Sequence, residues 1–112
     1  MTKGLANASF VTEKDWQSQV TDALKLFGWR WVHFRTSIGY KRRYQTAQDG
    51  DKGWVDIVAV RRGRMLLIEL KSASGRLTDD QKAWRDELKE VAGVGYYMWR
   101  PSDSDVMMAV LR

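Results

Sequence analysis

Cysteine is absent from this 112-residue chain, and histidine occurs once, as His33. Without cysteine the chain can form neither a disulfide framework nor a thiolate zinc site, and a cysteine nucleophile is excluded. A single histidine excludes metal sites built from two or three imidazoles of one chain, and any Ser-His-Asp triad would have to use His33. A bound metal ion is therefore expected to be a hard cation held by carboxylates, which means Mg²⁺ or Mn²⁺.

Long hydrophobic runs are also absent. No apolar stretch approaches the roughly 20 residues that span a bilayer, and the first residues lack the apolar core of a signal peptide. The 44% hydrophobic content, which includes six Trp, instead suits one globular domain over residues 1–112. We therefore predict a single cytoplasmic domain without a membrane segment, in which residues 1–11 form a flexible N-terminal segment.

Acidic residues are missing from residues 25–48, whereas the whole chain carries 19 Lys and Arg against 14 Asp and Glu, a net charge of +5. The basic residues of this segment are Lys25, Arg30, Arg35, Lys41, Arg42 and Arg43. Tyr40, Tyr44 and His33 lie between them. Cations interleaved with stackable rings are typical of surfaces that bind a nucleic-acid backbone and unpaired bases. The alternative is a solvated basic loop.

Apolar periodicity and capping residues predict the secondary structure. Thr12 begins a helix over residues 12–27, and Thr78 with Gln81 forms the capping box of a second helix that ends before Gly93. The predicted strands cover 29–34, 54–60, 65–70 and 96–100, a long loop covers 35–53, and a short helix follows Pro101. The order α-β-β-β-α-β-α predicts an α/β domain with a mixed four-stranded sheet flanked by helices.

Two acidic residues lie within the apolar strands of the predicted hairpin. If Arg62-Gly63 is a two-residue turn, its register places Asp56 directly opposite Glu69, with Cβ atoms about 4.5–5.5 Å apart. Lys71 is two residues beyond Glu69 and shares its face of the strand. Burial and mutual repulsion both oppose ionisation of such a pair, and a divalent cation between the carboxylates would compensate. The alternative is a structural cluster in which Lys71 neutralises one acid.

Two further polar residues lie beside the apolar stripes of the predicted helices. Glu13 precedes Trp16 by three residues, and Gln81 precedes Trp84 by three residues, so both face towards the core side of their helices. Each has a simpler explanation. Glu13 is also explained as an acid that interacts with the helix dipole, and Gln81 as the partner in the capping box.

Asp56 followed by Glu69-Leu70-Lys71 on the next strand resembles the signature of the PD-(D/E)XK nucleases. The closer resemblance is to the VRR-NUC group of that superfamily, especially its small phage-encoded members. It covers nearly the whole chain from about residue 12. Val55 stands where the family usually has Pro. The remaining matching stretches are Glu13 with Gln17, His33-Phe34-Arg35, residues 50–54, Gly75-Arg76-Leu77 with Gln81 and Trp84, and residues 99–103.

The resemblance implies a restriction-endonuclease-like fold and a metal-dependent DNA endonuclease that hydrolyses phosphodiester bonds. Asp56, Glu69 and the Leu70 carbonyl would bind Mg²⁺ or Mn²⁺, and Glu13 would bind a metal directly or through water. Lys71 would position and help deprotonate the attacking water. Gln81 would orient Lys71 or the phosphate.

The resemblance also suggests the partners. Small members of the group resemble Holliday-junction resolvases, which implies a structure-specific homodimer acting on branched DNA, in the cytoplasm of a bacterial host if the chain is phage-encoded. Predicted DNA contacts are His33, Arg35, Lys41, Arg42, Arg43 and Lys52, although a packed or hydrogen-bonded core side chain is the simpler explanation of His33. The alternative function is a non-catalytic DNA-binding module that uses the basic segment 25–48, and a structural phage protein is a third hypothesis.

Overall fold

The computed structural model describes residues 11–34 and 49–112. The predicted flexible segment 1–11, apart from its last residue, and most of the predicted loop 35–53 lie outside the described residues. The predicted DNA contacts Arg35, Lys41, Arg42 and Arg43 lie outside them as well.

Helix α1 spans Glu13–Leu26 and confirms the first predicted helix. The Thr12 hydroxyl caps it by accepting a hydrogen bond from the Asp15 N–H at 3.0 Å, which satisfies one of the free amides of the first turn. Trp16, Val20 and Leu24 are fully buried along one stripe of the helix. Gly28 ends the helical course with φ +77°, a conformation that glycine adopts without strain.

The described residues contain an open four-stranded sheet in the order β1-β2-β3-β4. The strands are β1 (Arg30–His33), β2 (Ile57–Arg61), β3 (Arg64–Leu70) and β4 (Val94–Trp99). Strands β1, β2 and β3 pair antiparallel, whereas β3 and β4 pair parallel, so the sheet is mixed as predicted. Arg61 pairs with Arg64 across Arg62 and Gly63, and both turn residues have positive φ, which confirms the predicted two-residue hairpin turn.

Two more helices complete the described elements. Helix α2 spans Asp79–Leu88 and has the predicted capping box of Thr78 and Gln81. A short 3₁₀ helix at Pro101–Asp103 leads into helix α3, which spans Ser104–Leu111. The chain is therefore an α/β domain, and the strand predicted over residues 96–100 begins two residues earlier and ends one residue earlier.

The hydrophobic core lies between helices α1 and α3 and one face of the sheet. Its largest members include Trp16, Leu24, Ile68, Leu70 and Leu111. The buried indole nitrogens are satisfied, since Trp16 Nε1 donates to the Trp99 carbonyl at 3.1 Å and Trp29 Nε1 donates to the Leu111 carbonyl at 2.9 Å. Side chains of β3 that point to the other face, Leu67 and Glu69, are also buried.

Helix α2 packs against β4 on this second face, with Arg85 and Asp86 near Tyr96. None of the helices among the described residues is long and apolar enough to cross a membrane.

Gly53 approaches the start of α2 so closely that the contact predicts a stability effect. Its φ is +92°, and a Cβ at this position would lie 2.6 Å from the carbonyl carbon of Asp80. We expect Gly53→Ala to lower the free energy of unfolding by about 3 kcal/mol, because overlap adds to the strain of positive φ. The matched control is Gly63→Ala, where φ is +82° but an added Cβ would have no neighbouring atom within 4 Å. This control should lower the free energy of unfolding by only about 1 kcal/mol. Urea unfolding measures both, and equal losses would contradict the prediction.

Candidate metal centre and active site

The regular pairing of β2 with β3 extends only to Ile57, the residue directly after Asp56. The last pair is Ile57 with Ile68, and a regular continuation would place Asp56 directly opposite Glu69. Instead the Asp56 N–H donates to the carbonyl of Ile68 at 3.0 Å, one residue away from Glu69. On its other side, the Asp56 carbonyl accepts a hydrogen bond at 2.7 Å from the N–H of Phe34, which directly follows β1. The predicted direct cross-strand pair is therefore not formed, because Asp56 and Ile57 both face Ile68, as in a β-bulge.

The displaced Asp56 still carries its carboxylate to the end of β3. Its Oδ2 accepts a hydrogen bond from the Leu70 N–H at 2.7 Å. This short bond to a charged acceptor fixes the carboxylate beside the peptide that links Glu69 to Leu70. Asp56 as a whole is half-buried.

Glu69 is the one fully buried charged or polar side chain among the residues that the structure describes, with 0% of its surface exposed. Neither of its carboxylate oxygens has a hydrogen-bond partner among those residues. Burial, followed by the negative charge of Asp56, raises the pKa of Glu69 to about 8, and the positive charge of Lys71 opposes the rise. A buried carboxylate without donors is unfavourable when ionised, so it is compensated either by a proton or by a cation.

Lys71 directly follows β3 and lies close enough to Glu69 to act on its pKa. The Lys71 N–H donates to the Trp99 carbonyl at 3.0 Å, which ties its backbone to the end of β4. The side chain is half-buried. The structure thus brings together the predicted residues Asp56, Glu69 and Lys71.

Glu13 lies in a cleft beside this cluster. The cleft has a volume of about 580 Å³, and its lining includes Glu13, Gln17, His33 and Phe34 together with Asp56. Glu13 itself is exposed in the first turn of α1. Residues 11–34 and 49–112 contain no group of three or more His, Asp or Glu side chains placed to hold a metal ion. Glu13 therefore shares the cleft with Asp56 but does not complete a three-carboxylate set with Asp56 and Glu69.

Gln81 forms the capping box with Thr78 that the sequence predicts. Its Oε1 accepts a hydrogen bond from the Thr78 N–H at 2.9 Å, and its own N–H donates to the Thr78 hydroxyl at 3.1 Å. The predicted role of Gln81 towards Lys71 or a phosphate stays a prediction.

The two predicted DNA contacts among the described residues lie in different places. His33 is half-buried and lines the first cleft. Lys52 is exposed and lines a second cleft of about 350 Å³, together with Asp51, Asp80 and Glu87. The structure therefore associates His33, and not Lys52, with the cleft that contains Asp56.

Comparisons with known proteins were made at three levels. No model of a protein family, no curated protein and no solved structure matches this chain. The resemblance to the VRR-NUC group accordingly remains a prediction that rests on the residues quoted above.

Sequence reasoning missed Tyr96, which belongs to the surroundings of Glu69. Its hydroxyl is buried without a hydrogen-bond partner among the described residues. Burial and then the negative charge of Glu69 raise the pKa of Tyr96 to about 12, so the phenol stays protonated at neutral pH. Tyr96 pairs with Leu67 across the parallel β3–β4 ladder, two positions from Glu69 along the same face. The strand was predictable from its apolar pattern, but its pairing partner was not.

A row of aromatic rings also escaped prediction. Phe34 packs edge-on against Trp54 with ring centroids 6.3 Å apart, and Trp54 packs edge-on against Trp84 at 4.8 Å. This row connects the end of β1 to helix α2 next to Asp56, and it holds the segment before β2 in place.

Proposed function

We propose that this chain is a Mg²⁺- or Mn²⁺-dependent DNA endonuclease that hydrolyses phosphodiester bonds, with a restriction-endonuclease-like fold. The observation that carries the proposal is the fully buried Glu69 carboxylate, which lacks hydrogen-bond donors and lies beside a second carboxylate and a lysine. A fully buried carboxylate without donors, next to a second acid, is unfavourable in a structural cluster but suitable in a cation site.

The residues present fit a hard divalent cation. Asp56 and Glu69 offer carboxylate oxygens, and Leu70, whose N–H is bonded to Asp56, offers its carbonyl oxygen. Glu13 would act through water, since it lies in the same cleft without joining the pair. When bound, the cation would lower the pKa of an attacking water and neutralise charge on the scissile phosphate.

The other chain residues would bind and orient the reacting groups. Lys71 would provide a fixed positive charge next to the carboxylates and would hold the attacking water as its nucleophilic oxygen is freed of a proton, which passes to solvent. Gln81 would offer its amide NH₂ to the phosphate, or the second lone pair of Oε1, whose other lone pair accepts from the Thr78 N–H, to Lys71.

The proposed substrate is DNA, with branched DNA cut by a homodimer as the more specific form of the proposal. His33 would contact the DNA backbone from the cleft, and Lys52 and the basic residues Arg35, Lys41, Arg42 and Arg43 would extend that contact. The proposed location is the cytoplasm. A DNA-binding module without activity is the second candidate, but Asp56 and Glu69 would repel phosphates unless a cation lies between them.

Cleavage assays test the proposal directly. Four-way, flap and linear DNA would be incubated with the wild-type chain in Mg²⁺, in Mn²⁺ and in EDTA. We expect cutting with either metal and none in EDTA. Binding of DNA without cutting of any substrate would favour the DNA-binding module, and cutting that persists in EDTA would refute a metal-dependent mechanism.

A further inference from the structure

The loop over residues 72–75, which directly follows Lys71, is held by one nitrogen of Arg100. Nη1 of Arg100 donates to the Ser72 carbonyl at 2.8 Å and to the Gly75 carbonyl at 2.6 Å, and it lies 3.5 Å from the Ala73 carbonyl. Hydrogen bonds with a charged donor are roughly twice as strong as neutral ones. A single guanidinium therefore fixes both ends of the loop.

The same loop borders the side chain of Lys71. A Cβ at Gly75 would lie 3.6 Å from Cδ of Lys71, so the Gly75 backbone passes beside the aliphatic part of the lysine. The Gly75 N–H also donates to the Ser72 hydroxyl at 3.0 Å, which keeps the loop folded back on itself. Movement of the loop would therefore change the space that the lysine side chain occupies.

Arg100 is itself held in place at the end of β4. Its N–H donates to Oδ2 of Asp103 at 2.8 Å, and the Asp103 N–H donates to the Arg100 carbonyl at 2.7 Å. The preceding residue, Trp99, accepts the hydrogen bond from the Lys71 N–H. Two adjacent residues of one strand end thus hold the Lys71 backbone and the loop beside its side chain.

We propose that Arg100 is a positioning residue for Lys71, which it orients through the loop at residues 72–75. The inference rests on the proposed nuclease function, in which Lys71 acts on the attacking water. Nη1 of Arg100 is engaged with backbone carbonyls of the loop, and through them it would act on Lys71. Displacement of a reacting group by about 1 Å lowers rates by roughly 100-fold, so a loosened loop is expected to reduce turnover.

The test compares Arg100→Met with the matched control Arg61→Met. Arg61 also donates to backbone carbonyls, those of Phe27 and Leu111 at 2.8 and 3.1 Å, but it lies at the hairpin-turn end of β2, opposite to the end that carries Asp56. Both variants should lose a similar number of degrees of thermal stability. We expect kcat to fall by about 10- to 100-fold in Arg100→Met with KM within about twofold, and both constants to remain near wild type in Arg61→Met.

Two further readouts separate positioning from general stability. Arg100→Lys should recover part of kcat, because an ammonium group also has donors for the carbonyls. Amide hydrogen exchange at Gly75 should become faster in Arg100→Met and not in Arg61→Met. An unchanged kcat in Arg100→Met, or equal losses of kcat in both Met variants, would overturn the inference while leaving the nuclease function intact. Absence of cleavage by the wild-type chain would overturn the proposed function, and the inference with it.

Discussion

Replacement of Lys71 by alanine is expected to lower kcat for DNA cleavage by about 10²- to 10⁴-fold, the range that loss of a proton-transfer group or a fixed transition-state charge produces. Lys71 is the positive charge that lowers the pKa of Glu69, and its backbone N–H is bonded to the Trp99 carbonyl, so the variant removes a charge that is fixed beside the carboxylates. DNA affinity should change little, because binding depends on many phosphate contacts. Single-turnover cleavage measures the first effect, and fluorescence anisotropy without metal measures the second.

The control for this variant is Lys82→Ala. Lys82 is exposed on α2, so its replacement removes the same charge from the protein without altering the cluster of Asp56, Glu69 and Lys71. Thermal unfolding of both variants establishes that they remain folded. Cleavage by Lys71→Ala at the rate of Lys82→Ala would refute the assignment of Lys71 and the mechanism built on it.

The hairpin that carries the site was predictable because its information is local. Arg62-Gly63 between two apolar runs specifies a two-residue turn, and the turn sets the register of β2 against β3. The α/β class and the sheet of four strands followed from similar local patterns. The proximity of Lys71 to Glu69 likewise follows from strand periodicity, and the structure has both residues in the same cluster.

The position of Asp56 was not predictable, because it depends on a competition between two neighbouring strands. The Phe34 N–H donates to the Asp56 carbonyl on one side, while the Asp56 N–H donates to the Ile68 carbonyl on the other. In the resulting bulge the Asp56 carboxylate accepts from the Leu70 N–H while it still interacts with Glu69. No local sequence pattern indicates the bulge, since the apolar residues around Asp56 predict one continuous strand.

The remaining neighbours of the site were not predictable, because they come from the parallel pairing of β3 with β4. Tyr96 and Arg100 reach Glu69 and the loop after Lys71 only because β4 returns beside β3 after the crossover through α2. Such pairing joins residues about 30 positions apart without a local signal, so sequence reasoning placed the strand but not its contacts. Glu13 as a metal ligand, directly or through water, stays a prediction, since helical spacing identifies the face of α1 but not its distance from the sheet.

Glu69→Gln is expected to remove a large pH dependence of stability in the metal-free protein. Glu69 has its pKa raised from 4.5 to about 8, so between these values the folded chain keeps the proton while the unfolded chain has lost it. The folded state then binds more protons, and the free energy of unfolding falls as pH rises through this window, by as much as about 5 kcal/mol. Below pH 4.5 both states are protonated and the penalty is absent.

Urea unfolding in EDTA at pH 5, 6.5 and 8 measures this effect as the difference between wild type and Glu69→Gln. Glu90→Gln is the control, because Glu90 is exposed. A difference between wild type and Glu69→Gln that does not change with pH would contradict the buried, donor-free state of Glu69.

The same titration connects stability with the proposed cation. The loss is expected to be largest at the alkaline end of this window, so the metal-free wild type should be less stable at pH 8 than at pH 5. Mg²⁺ that binds the ionised carboxylates stabilises the folded state by mass action. At pH 8 it should raise the stability of the wild type and leave that of Glu69→Gln nearly unchanged. If Mg²⁺ protects both proteins equally, the cation does not bind at Glu69, and the buried carboxylate would then require another explanation than a metal centre.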